Sequence, residues 1–377
     1  MSIQTALSRL FSNAGAIGVK GIFQFMFSSN CSFWVDCQPN CVINCGTHLF
    51  PDVSITVSEY NFLSIMQGKK NIEQLFAAGH ITITGNLGLA TLLPQIVYSA
   101  STEDNSLPTL EMNKRYIAPP RKSETISSSP LHILDSCSLT TLSKAEFKSK
   151  YVDTGSPVLI KRAIIHWPLF NMNKEEVVKC FLDFKGITRH GDYAQKAFST
   201  ERNFQSVPFH EFISTIIHPT EELKKDTHPA YMGNNALPNH IYDYIEFPPY
   251  FETSAYISPR IWLGPKGTLT PLHRDDSDNF FAQVWGEKSF LLAAPHSREA
   301  LRAWSTSPHG GLDGSDFNPD DPDYESFPAA REVTFLRIVL EAGDMLFLPE
   351  GWFHQVESLS ISLSINFWTN SNRNFLK

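Results

Sequence analysis

The sequence predicts two folded units: an α+β domain at the N-terminus and a larger, mainly β domain with flanking helices after it. The length of 377 residues exceeds one average domain. Helical and alternating patterns mix in the first unit, whereas short strands separated by turns follow Ile261, as in a double-stranded β-helix. A polar stretch rich in serine and proline lies between them. We therefore expect domains at 1–100 and 131–377, joined by a linker at 101–130.

Composition and charge exclude several functional classes. Hydrophobic residues make up 42% and charged residues 19% of the chain, which is ordinary for a globular protein. The net charge of -8 argues against binding nucleic acid through a broad cationic surface. The N-terminus lacks a secretory signal pattern, and no apolar run approaches the roughly 18 residues that span a bilayer. We expect a cytoplasmic protein without a transmembrane segment.

The first domain is predicted to begin with a helix and a small sheet. Apolar residues recur at near-helical spacing from Ala6 to about Phe27, which predicts one helix although glycines interrupt the pattern. Phe33–Cys37 and Val42–Cys45 are typical of short strands, and Val53–Val57 alternates as a half-buried strand does. Together these three strands predict an antiparallel meander.

Two helices and a further strand complete the predicted domain. Ser58 is a suitable N-cap for a short helix with an apolar side. A second helix is predicted at Asn71–Ala78, and His80–Thr84 returns to the alternation of a strand. A last segment covers Gly85–Ile96.

Four cysteines fall in one short window and could suggest a zinc site: Cys31, Cys37, Cys41 and Cys45. Structural zinc sites bring paired C-x₂₋₄-C knuckles separated by a longer loop, and this spacing lacks that arrangement. The cysteines instead alternate with apolar strand residues. This pattern favours small core residues with reduced thiols.

Two stretches of this domain resemble the sterol-carrier-protein family: DVSITVSEYNFLSIMQGK at Asp52–Lys69 and AAGHITITGNLGLA at Ala77–Ala90. The resemblance covers about the first 100 residues. It implies helices packed over a twisted sheet around an apolar tunnel for lipids or acyl chains. The same apolar residues could instead fill a core and leave a docking module, and both interpretations stay open.

The stretch 101–130 has no sustained period and is predicted to be a flexible linker. An alternative is that part of it packs along the next domain, because Tyr116–Pro120 contains hydrophobic anchors. After it, Val158 begins a buried strand. The proline and apolar spacing of Val207–Ile217 are those of a helix start.

Some polar features are interpreted as structural rather than functional. His166 and His210 are not near ligand motifs. The acidic loop 303–325, rich in aspartate, is either a substrate rim or, as we expect, a solvated insertion. His309 lies in this loop without a metal-ligand partner in register.

A candidate metal site begins at His273 and Asp275. They are two residues apart, so on an extended strand both side chains leave the same face while Arg274 points to the other. About 80 residues downstream, a turn, an apolar strand and a second turn deliver His354. Although a lone H-x-D is common in surface turns, two histidines and a carboxylate can form the facial triad of non-heme Fe(II) oxygenases. Such a triad leaves positions open for a co-substrate and oxygen.

A candidate clamp for a dicarboxylate lies beside this site. Lys288 opens an otherwise apolar strand, where a cation is costly unless an anion meets it. The alternative is a lysine at a strand end with its head in water. Thr270, three residues before His273, could add a hydroxyl donor, so that the two would hold the distal carboxylate of 2-oxoglutarate. Arg260 and Arg274 are the nearest alternative cations in sequence.

Four motifs in this half resemble the JmjC-type cupin hydroxylases, most closely the factor-inhibiting-HIF type: T-P-x-H-x-D-x-x-x-N-F-F-A-Q-x-x-G-x-K, D-P-D-Y-E-x-F-P, G-D-x-L-x-L-P-x-x-W-x-H and I-N-F-W. The match covers about 157–368 and implies a cupin (jelly-roll) fold. It implies iron ligands at His273, Asp275 and His354. The residues that it implies for 2-oxoglutarate are Tyr231, Thr270, Asn279, Lys288 and Asn366.

These observations lead to three functional hypotheses. The first is an Fe(II)- and 2-oxoglutarate-dependent oxygenase that uses O2 to hydroxylate a protein side chain or a small hydrophobic molecule, with N-demethylation as the same chemistry at a methyl carbon. The second is a lipid-binding or transfer protein with an accessory cupin domain, and the third is a silent scaffold. The intact triad disfavours the scaffold. A lipid carrier has no need of Lys288 or the iron ligands, so the sequence favours the oxygenase.

Overall fold

The computed structural model of the chain describes residues 2–12, 14, 19, 21–29, 31–37, 41–67, 69–70, 72, 75, 80–85, 93, 96–97, 115–125, 132–134, 142–194, 203–217, 228–256, 259–305 and 313–369. The chain divides into two compact units, one of Met1–Met112 with Phe204–Ser206 and one of Asn113–Asn203 with Val207–Lys377. Within the described ranges, no helix is long and apolar enough to cross a membrane.

Within the described residues, the first unit contains two helices and a five-stranded sheet. Its elements are α1 (Ile3–Leu10), β1 (Ile22–Phe27), β2 (Ser32–Cys37), β3 (Cys41–Cys45), β4 (Val53–Val57), α2 (Glu59–Met66) and β5 (Ile81–Gly85). The strand order is β3-β2-β1-β4-β5, with β1 and β4 parallel and the other neighbours antiparallel. This is the predicted α+β domain.

The helix predicted from Ala6 to Phe27 is wrong beyond Leu10, because its second half is the central strand β1. Three buried phenylalanines alternate along β1, as a strand requires. Gln24 between them is buried too, and its amide forms hydrogen bonds with neighbouring backbone. Hydrophobic spacing did not predict this strand, because Met26 on its other face is apolar as well.

The other predictions for this unit hold in part. β2 and β3 form the predicted antiparallel hairpin, but β4 pairs in parallel with β1, so the sheet is not a meander. Ser58 caps α2 as predicted, since its hydroxyl accepts from the backbone N–H of Asn61 at 3.2 Å. β5 confirms the strand predicted at His80–Thr84. The predicted helix Asn71–Ala78 and segment Gly85–Ile96 lie largely outside the described residues.

The four clustered cysteines do not share one environment. Cys37 is buried, and Cys41, opposite it in the β2–β3 hairpin, is half-buried. Burial is the main cause that raises the pKa of both thiols. Cys31 and Cys45 are exposed, and all four thiols are free. The predicted core role is therefore confirmed for Cys37 and wrong for Cys31 and Cys45.

Together with Phe204–Ser206, whose strand it shares, the described part of the second unit is mainly β, with four short α-helices. The helices are α3 (Lys144–Phe147), α4 (Pro168–Asn171), α5 (Lys174–Cys180) and α6 (Phe209–Ile217). The strands are β6 (Tyr116–Ile117), β7 (His132–Leu134), β8 (Val158–Ile160), β9 (Lys185–His190), β10 (Asn203–Pro208), β11 (Met232–Ala236), β12 (Arg260–Gly264), β13 (Leu269–Arg274), β14 (Asn279–Trp285), β15 (Lys288–Ala293), β16 (Trp304–Ser305), β17 (Asp313–Gly314), β18 (Phe335–Leu340), β19 (Met345–Leu348), β20 (Phe353–Ser358) and β21 (Ser362–Trp368). β8 and α6 confirm the strand and helix predicted from Val158 and Val207.

Most of these strands form two seven-stranded sheets whose inner faces pack together. The strand orders are β11-β12-β21-β14-β19-β8-β7 and β18-β15-β20-β13-β17-β16-β6. Across the interior, the rings of Phe281 and Phe290 lie 5.1 Å apart. The outer side of the first sheet is covered, where Phe147 of α3 stacks on Tyr250 at 3.7 Å and contacts Phe347 at 4.9 Å. The arrangement is the predicted double-stranded β-helix with flanking helices.

Part of the predicted linker packs onto this unit, as the alternative interpretation allowed. Strand β6 pairs antiparallel with β16, and Ala118 N–H donates to the carbonyl of Ala303 at 2.9 Å. Arg121, three residues further on, has only 1% of its side chain exposed. Residues 115–125 are therefore not a flexible tether, whereas 101–114 lie outside the described residues.

A cluster of buried charges lies behind the strand that carries the metal motif. The carboxylate Oδ2 of Asp313 accepts from Nη2 of Arg121 at 3.1 Å and from Nε of Arg274 at 2.8 Å. All three side chains are at most 1% exposed. Asp313 belongs to the acidic loop, so the prediction of a wholly solvated insertion is wrong at this residue. Two guanidinium groups offset the cost of burying its charge.

Replacing Arg121 with alanine removes one of the two cations that face Asp313. Breaking a buried ion pair by removing one partner typically costs about 3–5 kcal/mol, because the remaining charge stays buried. We expect a loss of this size in the free energy of unfolding, measured by urea titration followed by circular dichroism. Arg115→Ala in the same segment is the control, since the ion pair of Arg115 with Asp316 is about half exposed and such pairs contribute roughly 0–1 kcal/mol. Equal losses in the two variants would contradict the buried role.

Candidate metal and co-substrate site

The three predicted metal ligands lie together where β13 and β20 pair. His273 and His354 are directly opposite each other in this antiparallel pair, and their ring centroids are 4.1 Å apart. Asp275 follows the last residue of β13. One ligand atom from each side chain lies within 4.8 Å of the others, and this is the cluster of metal-ligating groups found among the described residues. The register of two neighbouring strands therefore assembles ligands that are far apart in sequence.

Hydrogen bonds fix the orientation of both imidazoles. Nδ1 of His273 lies 2.8 Å from the carbonyl oxygen of Pro271, and Nδ1 of His354 lies 3.1 Å from that of Trp352. Because a carbonyl can only accept, each Nδ1 carries the proton and donates it. Each Nε2 then presents its lone pair toward Asp275, at 3.9 Å from His273 and 3.8 Å from His354. This is the tautomer that a metal ligand needs.

The environment keeps His354 neutral. Burial is the first cause that lowers its pKa well below the ordinary value, and the neighbouring His273 lowers it further. A neutral imidazole binds a divalent metal, whereas an imidazolium does not. The site is thus prepared for a cation before one arrives.

Asp275 is held on both its side chain and its backbone. The indole Nε1 of Trp368 donates to the carboxylate Oδ2 at 2.9 Å. The carbonyl oxygen of Asp275 accepts from Nη1 of Arg121 and from the backbone N–H of Gly351, each at 3.0 Å. Gly351 has φ +84°, and a Cβ there would clash with the side chain of Ser123. Both the backbone conformation and the close contact with Ser123 therefore favour glycine at this position. Such outer contacts orient metal ligands and tune their affinity.

Lys288 is fully buried, which excludes the alternative of a lysine with its head in water. Its Nζ donates to the hydroxyl of Tyr231 at 3.1 Å, and in the described part of the chain no carboxylate pairs with it. Burial lowers its pKa to about 7. Thr270 hydrogen-bonds the same Tyr231 hydroxyl, whose pKa burial raises above its usual range. The three predicted residues thus form one group that lacks an anion and fits the distal carboxylate of 2-oxoglutarate.

The predicted asparagines form a third group on neighbouring strands β14 and β21. Nδ2 of Asn366 donates to Oδ1 of Asn279 at 3.0 Å, and Nε1 of Trp262 donates to Oδ1 of Asn366 at 2.7 Å. All three side chains are buried. These hydrogen bonds join the two asparagines, and their role in binding 2-oxoglutarate stays a prediction.

Several residues near the site were missed by the sequence analysis. Arg274, considered as an alternative cation, is engaged by Asp313 and by Glu124 at 2.7 Å on the opposite face of β13, so it cannot serve as the clamp. Arg189 in β9 was not identified. Arg121 was assigned to a linker.

The two histidines interpreted as structural, His166 and His210, are largely exposed and do not belong to the metal cluster.

Comparisons with known proteins match both units. The model of the cupin-like domain matches residues 144–374, and that of the SCP-2 sterol transfer family matches residues 15–97. Members of the JmjC cupin family use Fe(II) and 2-oxoglutarate, and the two buried groups described above fit this pair of cofactors.

The relatives of this chain carry names that point to different functions. Jumonji C domain-containing protein 5 of Drosophila melanogaster is 29% identical over 266 residues, 64% of each chain. Lysine-specific demethylase JMJ30 of Arabidopsis thaliana is 29% identical over 233 residues, 60% of this chain and 53% of that protein. tRNA wybutosine-synthesizing protein 5 of Gallus gallus is 32% identical over 125 residues, 33% of this chain and 37% of that protein. The chain thus spans less than two thirds of the length of these relatives.

These names do not include the factor-inhibiting-HIF type, so that narrower resemblance stays a prediction. The broader one is confirmed, because the cupin-like model covers more than half of the chain. The chain belongs to the cupin-like family of JmjC type and carries an N-terminal domain of the SCP-2 sterol transfer family.

Proposed function

We propose that this protein is an Fe(II)- and 2-oxoglutarate-dependent oxygenase that hydroxylates a C–H bond of a protein side chain or a small hydrophobic molecule. The observation that carries the proposal is the cluster of His273, Asp275 and His354 in the same unit as the buried, unpaired Lys288. Each feature alone has structural explanations. Together they supply a metal site and a carboxylate clamp, which this chemistry requires.

His273, Asp275 and His354 would hold Fe(II), which when bound supplies the oxidation of a C–H bond by O2 coupled to decarboxylation of 2-oxoglutarate. The protein's task is to orient the ligands. The carbonyls of Pro271 and Trp352 hold both imidazoles in the tautomer that leaves Nε2 for the metal. Three ligands on one side leave the other positions of the metal open.

Lys288, Thr270 and Tyr231 would bind the distal carboxylate of the co-substrate. Tyr231 remains neutral, because its pKa lies above the usual range, so its hydroxyl can donate to the carboxylate. Asn279 and Asn366 complete the proposed co-substrate site. The full burial of Lys288 excludes water from the contact and strengthens it.

Hydroxylation and N-demethylation share this chemistry and differ in the carbon that is oxidised. Two of the relatives named above are a lysine-specific demethylase and a tRNA wybutosine-synthesizing protein. We favour hydroxylation of a protein side chain or small molecule in the cytoplasm. Mass spectrometry of products separates the two reactions, since hydroxylation adds an oxygen atom and demethylation removes a methyl group.

Lipid binding by the N-terminal domain is a second candidate function. The SCP-2 match supports it, as does a small apolar cavity of about 20 Å³ in the first unit. The residues that line this cavity are Leu10, Phe25, Ile55, Val57, Phe62, Ile65, Ile72, Ile81, Leu93 and Val97. A space of this size holds roughly one water molecule. Lipid binding therefore requires the lining side chains to move apart.

The division into domains at 1–100 and 131–377 is part of this proposal, with the linker predicted at 101–130 shortened by residues 115–125, which pack on the second domain. Because both domains belong to one chain, a lipid held by the first would have an effective concentration on the order of millimolar near the second. A hydrophobic substrate, or one that carries an acyl chain, would gain from this arrangement.

We expect His273→Ala and Asp275→Ala to lose Fe(II) binding and 2-oxoglutarate turnover by more than about 100-fold each. Loss of even an outer partner of a metal ligand typically costs 10–100-fold, and Trp368→Phe, which removes only the hydrogen bond to Asp275, should fall in that range. His166→Ala is the control, since this histidine is about half exposed. Iron content and succinate release are the measurements. Near wild-type values in both ligand variants would refute the assignment.

We expect Lys288→Met to weaken 2-oxoglutarate binding by about 100-fold or more, because a buried carboxylate left without its cation costs roughly 3–5 kcal/mol. At pH 8 the free protein holds Lys288 mostly neutral, since its pKa is about 7. Binding the dicarboxylate should restore the charge, with uptake of close to one proton. Anaerobic calorimetry of the Fe(II) protein in two buffers with different heats of ionisation measures both quantities.

Stability provides an independent check on Lys288. The folded pKa of about 7 lies below the usual lysine pKa of 10.5, so the folded protein binds fewer protons than the unfolded chain between these pH values. The free energy of unfolding should therefore rise with pH in this window, and this rise should shrink in Lys288→Met. Lys266→Met is the control, because Lys266 is exposed. Unchanged 2-oxoglutarate affinity and proton uptake in Lys288→Met would argue against the clamp.

We expect the intact chain to take up a fatty acid or a sterol in its N-terminal domain, with the lining residues moving to admit it. Native mass spectrometry after incubation with palmitate or cholesterol measures uptake. Ile65→Trp, which fills the cavity, should reduce it, whereas Tyr60→Trp on the exposed side of α2 is the matched control. A chain that binds neither ligand would leave only a docking role for this domain.

A further inference from the structure

A second cation lies beside the co-substrate clamp. Arg189 in β9 and Tyr231 exchange both backbone hydrogen bonds, at 2.8 and 3.0 Å, so they are directly opposite each other. Residues that face each other in such an antiparallel bridge project their side chains to the same side. Tyr231 accepts from Lys288 on that side. Tyr231 therefore stands next to two cations, Lys288 and Arg189.

The guanidinium of Arg189 has no anionic partner within the ranges that the structure describes. Its Cζ lies 5.8 Å from the centre of the Trp262 ring, and burial is the main cause that lowers its pKa. The titratable groups that act on it are two tyrosines, Tyr231 and Tyr193, whose own pKa values burial raises. Both are neutral at ordinary pH, so neither compensates the charge. Leaving a half-buried guanidinium in this state is costly.

Two buried arginines of the same unit, Arg121 and Arg274, do have acidic partners. Arg121 and Arg274 each contact the carboxylate of Asp313, and Arg274 also contacts Glu124. The fold thus supplies acids for these two arginines, whereas none of the described acids contacts Arg189. An anion bound from outside would fill that place.

The charges of the proposed reaction site balance without Arg189. Fe(II) carries two positive charges and Lys288 one, while Asp275 carries one negative charge and 2-oxoglutarate two. These groups sum to zero without Arg189, so the co-substrate does not need it. A further anion would find its counter-charge at Arg189.

Aromatic side chains connect Arg189 to the metal cluster. The ring of Trp262 lies 5.9 Å from that of Tyr231 and 6.4 Å from that of Trp368. Trp368 in turn donates its indole N–H to the metal ligand Asp275. A molecule held at Arg189 would therefore lie along an aromatic wall that ends at the ligand cluster.

We propose that Arg189 is a specificity-determining residue that binds an oxyanion, a carboxylate or phosphate, on the substrate. This inference rests on the proposed function, since it names the substrate class of that site. A guanidinium is suited to the role, because its planar donors bind carboxylate and phosphate in a bidentate manner. The aromatic wall favours an apolar or flat group next to the anion.

Three small probes test the proposal on the full chain loaded with Zn(II) and saturated with 2-oxoglutarate, so that Lys288 is occupied. Benzoate, phenyl phosphate and the neutral benzamide share the same ring and differ in charge. Calorimetry or ligand-observed NMR gives their affinities. We expect at least one of the two anions to bind about 10-fold or more tightly than benzamide, as a charge-assisted hydrogen bond predicts. Whichever anion is preferred identifies the oxyanion.

The preference should disappear in Arg189→Gln and be reduced in Arg189→Lys, which keeps the charge but loses the bidentate geometry. Arg331→Gln is the matched control, because Arg331 is an exposed arginine stacked on an aromatic ring, Tyr324, at 4.6 Å. Circular dichroism confirms that the variants fold, and the lysine variant provides a second measurement if the glutamine variant does not. A preference that survives in both Arg189 variants would overturn the proposal.

Two other outcomes would also overturn it. Equal affinities of the three probes for the wild-type chain, including no binding of any, would show that no oxyanion site exists. A loss of 2-oxoglutarate affinity in Arg189→Gln as large as that in Lys288→Met would move Arg189 into the co-substrate site. Failure of the proposed function appears elsewhere, as absence of succinate release from the Fe(II)-loaded wild-type chain, while these binding measurements are unaffected.

Discussion

The buried contacts of Arg274 and Arg121 with Asp313 are the interaction on which the candidate metal site depends. Arg274 stands between two proposed ligands in the chain, so the position of its guanidinium fixes the end of β13, where His273 lies and after which Asp275 follows. Arg121 reaches the same carboxylate and also donates to the backbone carbonyl of Asp275. Because all three charged side chains are buried, each can keep its charge only while the others stay in place. Ligand geometry is thereby coupled to the core of the fold.

The two faces of this sheet treat positive charge in opposite ways. Behind the metal strand, arginines are matched with acids from the chain itself. Lys288 lies on the inner face, and Arg189 of the separate β9–β10 sheet stands near the same Tyr231; none of the described acids pairs with either cation. Since an uncompensated buried cation lowers stability, a protein keeps one only where a ligand supplies the missing charge. The contrast between the two faces therefore supports a binding site more strongly than either cation does alone.

The sequence predicted the residues whose signal is local. The strand period placed His273 and Asp275 on one face, and turn residues located His354. It could not predict contacts that depend on distant pairing, such as that of Arg121 with Asp313, 192 residues apart. Local pattern assigned one of these residues to a linker and the other to a solvated loop. β1 was missed for a different reason, because apolar residues on both of its faces concealed the period of a strand.

The buried charge cluster also bears on where the catalytic unit begins. The cupin-like family model starts at residue 144, yet Arg121 and strand β6 precede it and pack against the metal strand and β16. A unit that began at the family boundary would leave Asp313 with one of its two arginines and the Asp275 carbonyl with one of its two donors. We infer that residues 115–125 help to hold the candidate metal ligand Asp275 in place. The segment that follows the SCP-2 domain in the chain is thus part of the support of the metal ligands.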